Sequence, residues 1–381
     1  RPRQILGMAS RGVDESETNL IALGDMAFDS AYIFGEPARS IQLTCNTCHN
    51  KGVANPNFFV PGLSGHRGSF DVSNSFFAPH ANDGVFNPVD IPDLRGIRFT
   101  APYGRDGRFA SLRDFTRNVI VHEFNGPEPE PILVDGMVAY MNQFEFLPNP
   151  NVRPDGTLAP NRVSGSALRG EEIFRRDYPQ MMGGTSCASC HIPSGRFLDH
   201  QQHDLGTKEG AEPHSQDRAL DTPTLLGVKW NGPYFHDGRF GTLREVVDWF
   251  DRRFGLGLAD SESADLTAYL ETIGDGIEAY EASPYYLDAE MEEFSFFLST
   301  YEWLRERGRS DLIQTTLQTV SAEIANHKWE LQDSTHRPVM ERLAAILDEA
   351  YALEQAGRHD PVDLKIEEYR RLYRENAENL R

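Results

Sequence analysis

Apolar residues recur at helical spacing wherever the chain shows a clear period. Ser111 to Asp114 and Thr242 to Glu245 have the form of capping boxes. Each is followed by an apolar face: Leu112, Phe115 and Val119 after the first, and Leu243, Val246, Val247 and Phe250 after the second. Met291 to Arg305, Asp311 to Trp329 and Arg337 to Ala356 pair charged with apolar positions and predict amphipathic helices packed on the body of the protein or on a partner. Between the periodic segments lie loops rich in Gly, Pro and Asn, the longest over 50–92. Loops of that length without structure of their own usually wrap a ligand or cofactor. No run approaches the roughly 20 apolar residues needed to span a bilayer. The start, Arg1-Pro2-Arg3-Gln4, lacks the hydrophobic stretch of a signal peptide, as expected if one has been removed or the chain trimmed.

Compared with itself, the chain repeats. Pro92-Asp93-Leu94-Arg95-Gly96 through Pro102-Tyr103-Gly104-Arg105-Asp106-Gly107-Arg108-Phe109 returns as Pro223-Thr224-Leu225-Leu226-Gly227 through Pro233-Tyr234-Phe235-His236-Asp237-Gly238-Arg239-Phe240, at a constant offset of 131 residues. Gly24 and Phe28 match Gly170 and Phe174, Cys45 matches Cys187, and Tyr140 matches Tyr269. The repeated units run over about 14–147 and 164–274, joined by a linker rich in Pro and Asn that starts at Pro148. Nothing from Asp275 to Arg381 repeats.

All four cysteines fall in two copies of one pattern, Cys45-Asn46-Thr47-Cys48-His49 and Cys187-Ala188-Ser189-Cys190-His191. Cys-x-x-Cys-His is the attachment site of c-type haem. Both thiols add to the haem vinyl groups, and the adjacent His lies under the ring to bind iron. Two other chemistries use the same cysteines: a single zinc site of four thiolates, or a redox disulfide in each pair. Neither explains why His follows both pairs in matching copies of a repeated unit. Covalent attachment of haem takes place outside the cytoplasmic membrane, so the motif places the protein in the periplasm.

The 381 residues, 39% of them apolar, can supply two domains with real cores plus an extension. A net charge of −21 is spread along the chain. It makes nucleic acid an unsuitable partner and a basic electron carrier a suitable one, although acidity of this size also serves solubility.

With these motifs the chain resembles the bacterial di-haem cytochrome c peroxidase and MauG superfamily. The residues that carry the likeness are Leu23-Gly24-Asp25-Met26-Ala27-Phe28-Asp29, both Cys-x-x-Cys-His sites, and Pro233 to Arg239 followed by Thr242-Leu243-Arg244-Glu245-Val246-Val247. The implied fold is mainly α: two cytochrome-c-like haem domains related by the internal repeat, at 1–150 and 151–274, and a helical C-terminal extension at 275–381. The resemblance implies His49 and His191 as proximal iron ligands, with peroxide handled at the first haem and electrons entering at the second. It places Glu123 near the family's catalytic glutamate, and His66, in Gly65-His66-Arg67-Gly68, near a histidine that caps the resting iron. His80 is the rival for that role, because the loop carries an insertion. It also implies a calcium ion between the domains, held by Asp90, Asn231 and the carbonyl of Pro233.

Two positions depart from the family. Arg105 stands where a Trp between the haems is usual, and Phe250 stands where Met or Tyr provides the sixth ligand of the second iron. Phe cannot ligate iron, which leaves His200, His203, His214 and His236 as nearby candidates. Three functions remain open: a peroxidase that takes electrons from a basic cytochrome c, a MauG-like enzyme that oxidises side chains of a partner protein docked on the extension, and a di-haem electron-transfer subunit without catalysis.

Overall fold

The computed structural model describes residues 15–206, 219–277 and 286–381, and its architecture is mainly helical. His214 lies outside the described residues. Helix α1 (Glu15–Phe28) packs on α4 (Pro131–Met141), and α5 (Gly165–Arg175) packs on α8 (Asp260–Ile273). Each crossing depends on a glycine. A Cβ on Gly24 would sit 1.9 Å from the carbonyl oxygen of Gly136, and one on Gly170 would sit 2.1 Å from that of Asp265. Aromatic pairs seal both crossings at similar spacing, with ring centroids 5.4 Å apart for Phe28 and Tyr140 and 5.0 Å for Phe174 and Tyr269.

Four further helices frame the space between these pairs. The short α2 (Cys45–Cys48) and α6 (Cys187–Cys190) each open on a reciprocal cap, Thr44 with Thr47 and Ser186 with Ser189. Helices α3 (Leu112–Asn118) and α7 (Leu243–Phe254) start where the sequence predicts, with Ser111 and Thr242 accepting from the amides of Asp114 and Glu245. Helix α7 runs unbroken to Gly255, whereas α3 passes into a π-helical turn over Val119–Glu123. In the loop over 50–92 the regular structure is limited to small antiparallel pairings, such as β3 (Ser69–Phe70) with β4 (Val89–Asp90).

Beyond the second helix pair come α9 (Tyr286–Leu298), α10 (Tyr301–Glu306), α11 (Ser310–His327), α12 (Arg337–Gln355) and α13 (His359–Asn376). The amphipathic stretch from Met291 to Arg305 is thus two helices, parted at Ser299 and Thr300. Helix α13 follows no strong sequence pattern; its buried residues are Val362, Ile366 and Tyr369, a thin stripe on a charged helix. These helices pack on the first unit. α9 and α11 lie against α1, Thr319 donates to Ser30 at 2.7 Å, and Met291, Phe294, Phe297 and Val320 share one hydrophobic core with Ile21, Met26 and Phe28.

Candidate functional site

A cavity of about 1070 Å³ runs between the two units. That is at the upper end of the range for small-molecule sites, roughly 300–1,000 Å³. All four cysteines, His49 and His191 line it, and the 50–92 loop supplies much of one wall, from Val53 to Pro92. The caps on α2 and α6 hold the two Cys-x-x-Cys segments as single helical turns, so that the histidine after each turn also faces the cavity.

The local electrostatics suit a neutral imidazole. Burial holds His49 down to about 4 and lowers His191 as well. His49 Nδ1 lies 3.0 Å from the carbonyl of Pro92, and His191 Nδ1 lies 3.3 Å from that of Phe197. A carbonyl only accepts, so Nδ1 carries the proton and Nε2 keeps its lone pair, the tautomer an iron ligand needs. Burial also pushes the Cys48 and Cys187 thiols up to about 12. Among the described residues no cluster brings the two cysteine pairs together; the one cluster containing a cysteine joins Cys190 to Asp199 and His203. A four-thiolate zinc site is therefore set aside. Thiol pair, neutral imidazole and apolar wall fit a c-type haem at each turn.

Glu123 ends the π-helical turn and lines the cavity. Such turns gather at functional sites. Burial raises its carboxyl to about 7, against the pull of the Arg108 guanidinium 4.0 Å away and of the Asn118 amide, which donates at 3.3 Å. In the 131-residue register the matching position on α7 is Phe254, so the second turn has no counterpart of this carboxylate.

The remaining candidates separate. His66 is not among the cavity-lining residues; its Nε2 lies 3.0 Å from the carbonyl of Asp237 and its Nδ1 2.8 Å from that of Arg67. In this arrangement it bridges to the second unit's Asp-Gly-Arg turn, and ligating iron would require the loop to leave that turn. His80 is exposed, its ring 5.8 Å from that of His122, a cavity residue. Asp90, Asn231 and Pro233 all line the cavity, but burial raises the Asp90 carboxyl to about 7 and the Arg105 guanidinium already supplies the positive charge that opposes the rise. A hard cation there would compete with a guanidinium.

Arg105 lines the cavity and its carbonyl accepts from the amide of Asp221 at 2.9 Å. The equivalent bond runs the other way, from the amide of Asp90 to the carbonyl of His236, also at 2.9 Å. The two units therefore clasp one another reciprocally, through positions 131 residues apart. Near the second turn, Phe250 lines the cavity, His203 is engaged by Asp199 at 2.7 Å, His200 bonds the carbonyl of Ala101 at 2.6 Å, and His236 lines the wall. Met181 and Met182, which sequence patterns did not single out, bring two thioethers to the same cavity. Their only sequence signal is the residue type, a thioether being an established haem ligand.

Residues 170–249 match the family model described as di-haem cytochrome c peroxidase. The methylamine utilization protein MauG of Methylorubrum extorquens is 32% identical over 132 residues, 29% of this chain and 35% of that protein. The cytochrome c551 peroxidase of Nitrosomonas europaea is 22% identical over 278 residues, 65% of this chain and 80% of that one. The chain thus spans about a third of the length of the MauG relative it matches. Among solved structures, a MauG-like protein associated with microbial copper homeostasis superposes with a TM-score of 0.49 at 15% identity, over 71% of this chain and 92% of that one. The sequence matches bear out the resemblance drawn from the motifs.

Proposed function

We propose that this relative of the di-haem cytochrome c peroxidases and MauG carries two covalent c-type haems and reduces hydrogen peroxide at the first, with electrons delivered through the second. Cys45, Cys48 and His49 would hold the first haem, and Cys187, Cys190 and His191 the second. When bound, the haems supply the redox chemistry. Overall, one peroxide, two electrons and two protons give two waters. The chain's own task is to move a proton between the peroxide oxygens as their bond breaks, and Glu123 is the group for it. The supporting observation is the asymmetry between the turns, with a carboxyl held near neutrality on the first and Phe254 at the matching place on the second. An acid–base group works best with a pKa near the working pH.

Attachment chemistry makes the periplasm the expected location. Among the described residues no helix is long and apolar enough to cross a membrane.

A second reading, oxidation of side chains on a partner protein, is favoured by the likeness to MauG and by Trp230, which lines the cavity while 58% exposed and so connects it to the surface. One experiment separates the readings: reduced cytochrome c is mixed anaerobically with the protein and limiting peroxide. Oxidation of about two cytochromes per peroxide is expected from the two-electron balance. Peroxide that reacts with the haems while the cytochrome stays reduced would favour the second reading. Haems inert to peroxide would leave only electron transfer.

A further inference from the structure

The C-terminal helices reach the first Cys-x-x-Cys-His turn through a buried ion bridge. Lys51, two residues after His49, is only 4% exposed, and its Nζ lies 2.8 Å from Glu293 on α9 and 3.1 Å from Asp29. Glu293 is 1% exposed, and Glu290 follows at 3.8 Å. A fully buried pair of this kind is strongly destabilised when one partner is removed, so each charge holds the other in place.

Lys51 also occupies a backbone position that suits lysine poorly. β1 (His49–Asn50) and β2 (Val53–Ala54) form a hairpin whose two loop residues, Lys51 and Gly52, both have positive φ, 51° and 84°. Two-residue loops of this kind favour Asn-Gly or Gly-Gly, since positive φ strains most residues with a Cβ, and Asn, whose short side chain hydrogen-bonds locally, is the best tolerated of them. A residue kept against its local preference, at the end of a proposed haem turn, is a sign that its side chain is needed.

The bridge connects back to the attachment segment by short steps. The Lys51 amide donates to Asn46 Oδ1 at 2.6 Å, and Asn46 lies between Cys45 and Cys48. The Asn55 amide, just past the hairpin, donates to the carbonyl of Cys48 at 2.8 Å. The charge of Asp29 acts on the Cys45 thiol, adding to the rise that burial causes. The second turn is built otherwise: Ile192-Pro193-Ser194-Gly195 follows His191, with no lysine.

From this juxtaposition we propose that Lys51 and Glu293 are positioning residues for His49, so that the C-terminal helices fix the histidine that would ligate the first haem and leave His191 untouched. This rests on the two-haem reading above. It gives the extension a task inside the molecule instead of a partner-docking role alone.

The test uses full-length holoprotein. Lys51→Asn keeps a residue the turn favours and removes the ammonium; Glu293→Gln keeps size and removes the charge. For each haem separately, the iron–histidine stretch is read by resonance Raman and the midpoint potential by redox titration. Both variants are expected to keep two covalent haems, to shift both readouts of the first haem, and to leave the second at wild-type values. Unchanged first-haem readouts beside a lowered melting temperature would overturn the proposal, as would equal shifts at both haems. Failure of both variants to yield folded di-haem protein would also overturn it, since the bridge would then be a folding requirement. The two-haem reading fails differently, through wild-type protein whose haem is removed by acid-acetone extraction.

Discussion

On the proposed function, proton transfer at the first haem turns on one carboxyl. Glu123 is pushed up to about 7 chiefly by burial, with Arg108 and Asn118 pulling the other way. If its first act is to accept a proton from peroxide, the ionised form is the active one. Turnover is then present above about pH 7 and lost as pH falls through that value, close to tenfold per unit below it. Glu123→Gln keeps the Asn118 contact in reach but cannot take the proton. Its peroxide turnover is expected to fall by about 10²–10⁴-fold, with both haems retained and the inflection near pH 7 gone. A steady-state pH profile of wild type and variant measures both effects; a Gln variant with wild-type turnover would remove the catalytic assignment. The position of Glu123 was legible in the sequence only by family likeness. Its raised pKa was not, because that depends on a π-helical turn and a cavity wall assembled from segments far apart in the chain.

Among the helices, those with a cap or a clear apolar period were the legible ones. Ser111 and Thr242 begin α3 and α7 as their side chains suggest, whereas α13 buries a stripe of Val362, Ile366 and Tyr369 too thin to stand out among its charges. Gly24 and Gly170 appear in the sequence merely as matching glycines; the structure gives the reason, two helix crossings with no room for a methyl group. Gly24→Ala would drive a Cβ to 1.9 Å from the Gly136 carbonyl, a clash that only separation of α1 and α4 relieves. Helix propensity alone favours alanine by about 1 kcal/mol, but overpacking a tight contact costs about 1–3 kcal/mol. Since α1 also carries the contacts of α9 and α11, the packing cost should prevail. A lowered denaturation midpoint is expected from chemical unfolding of the holoprotein, and a raised one would mean that the crossing adjusts freely.

At the scale of the whole molecule, the two units are joined by the reciprocal bonds from Asp90 to His236 and from Asp221 to Arg105, with the cavity between them. The carboxyls of Asp90 and Asp221 are both raised to about 7 by burial. The full chain carries a formal net charge of −21, a field that acts on a partner before contact. On the proposed function, electrons for peroxide reduction arrive from outside, and a basic cytochrome c would be steered toward this surface, whereas hydrogen peroxide is neutral and would not. The two reactants therefore control for one another. Raising ionic strength from about 20 to 200 mM shortens the screening length from roughly 20 to 7 Å. Reduction of the protein by a basic cytochrome c should slow by roughly tenfold or more over that range, in keeping with the size of electrostatic steering. The rate at which peroxide reacts with the prereduced protein should stay constant. Stopped-flow traces of the two half-reactions at matched pH give both numbers. If donor and peroxide steps both ignore salt, the acidity serves solubility and the donor docks by apolar contact; if both slow together, salt is acting on the protein and not on the encounter.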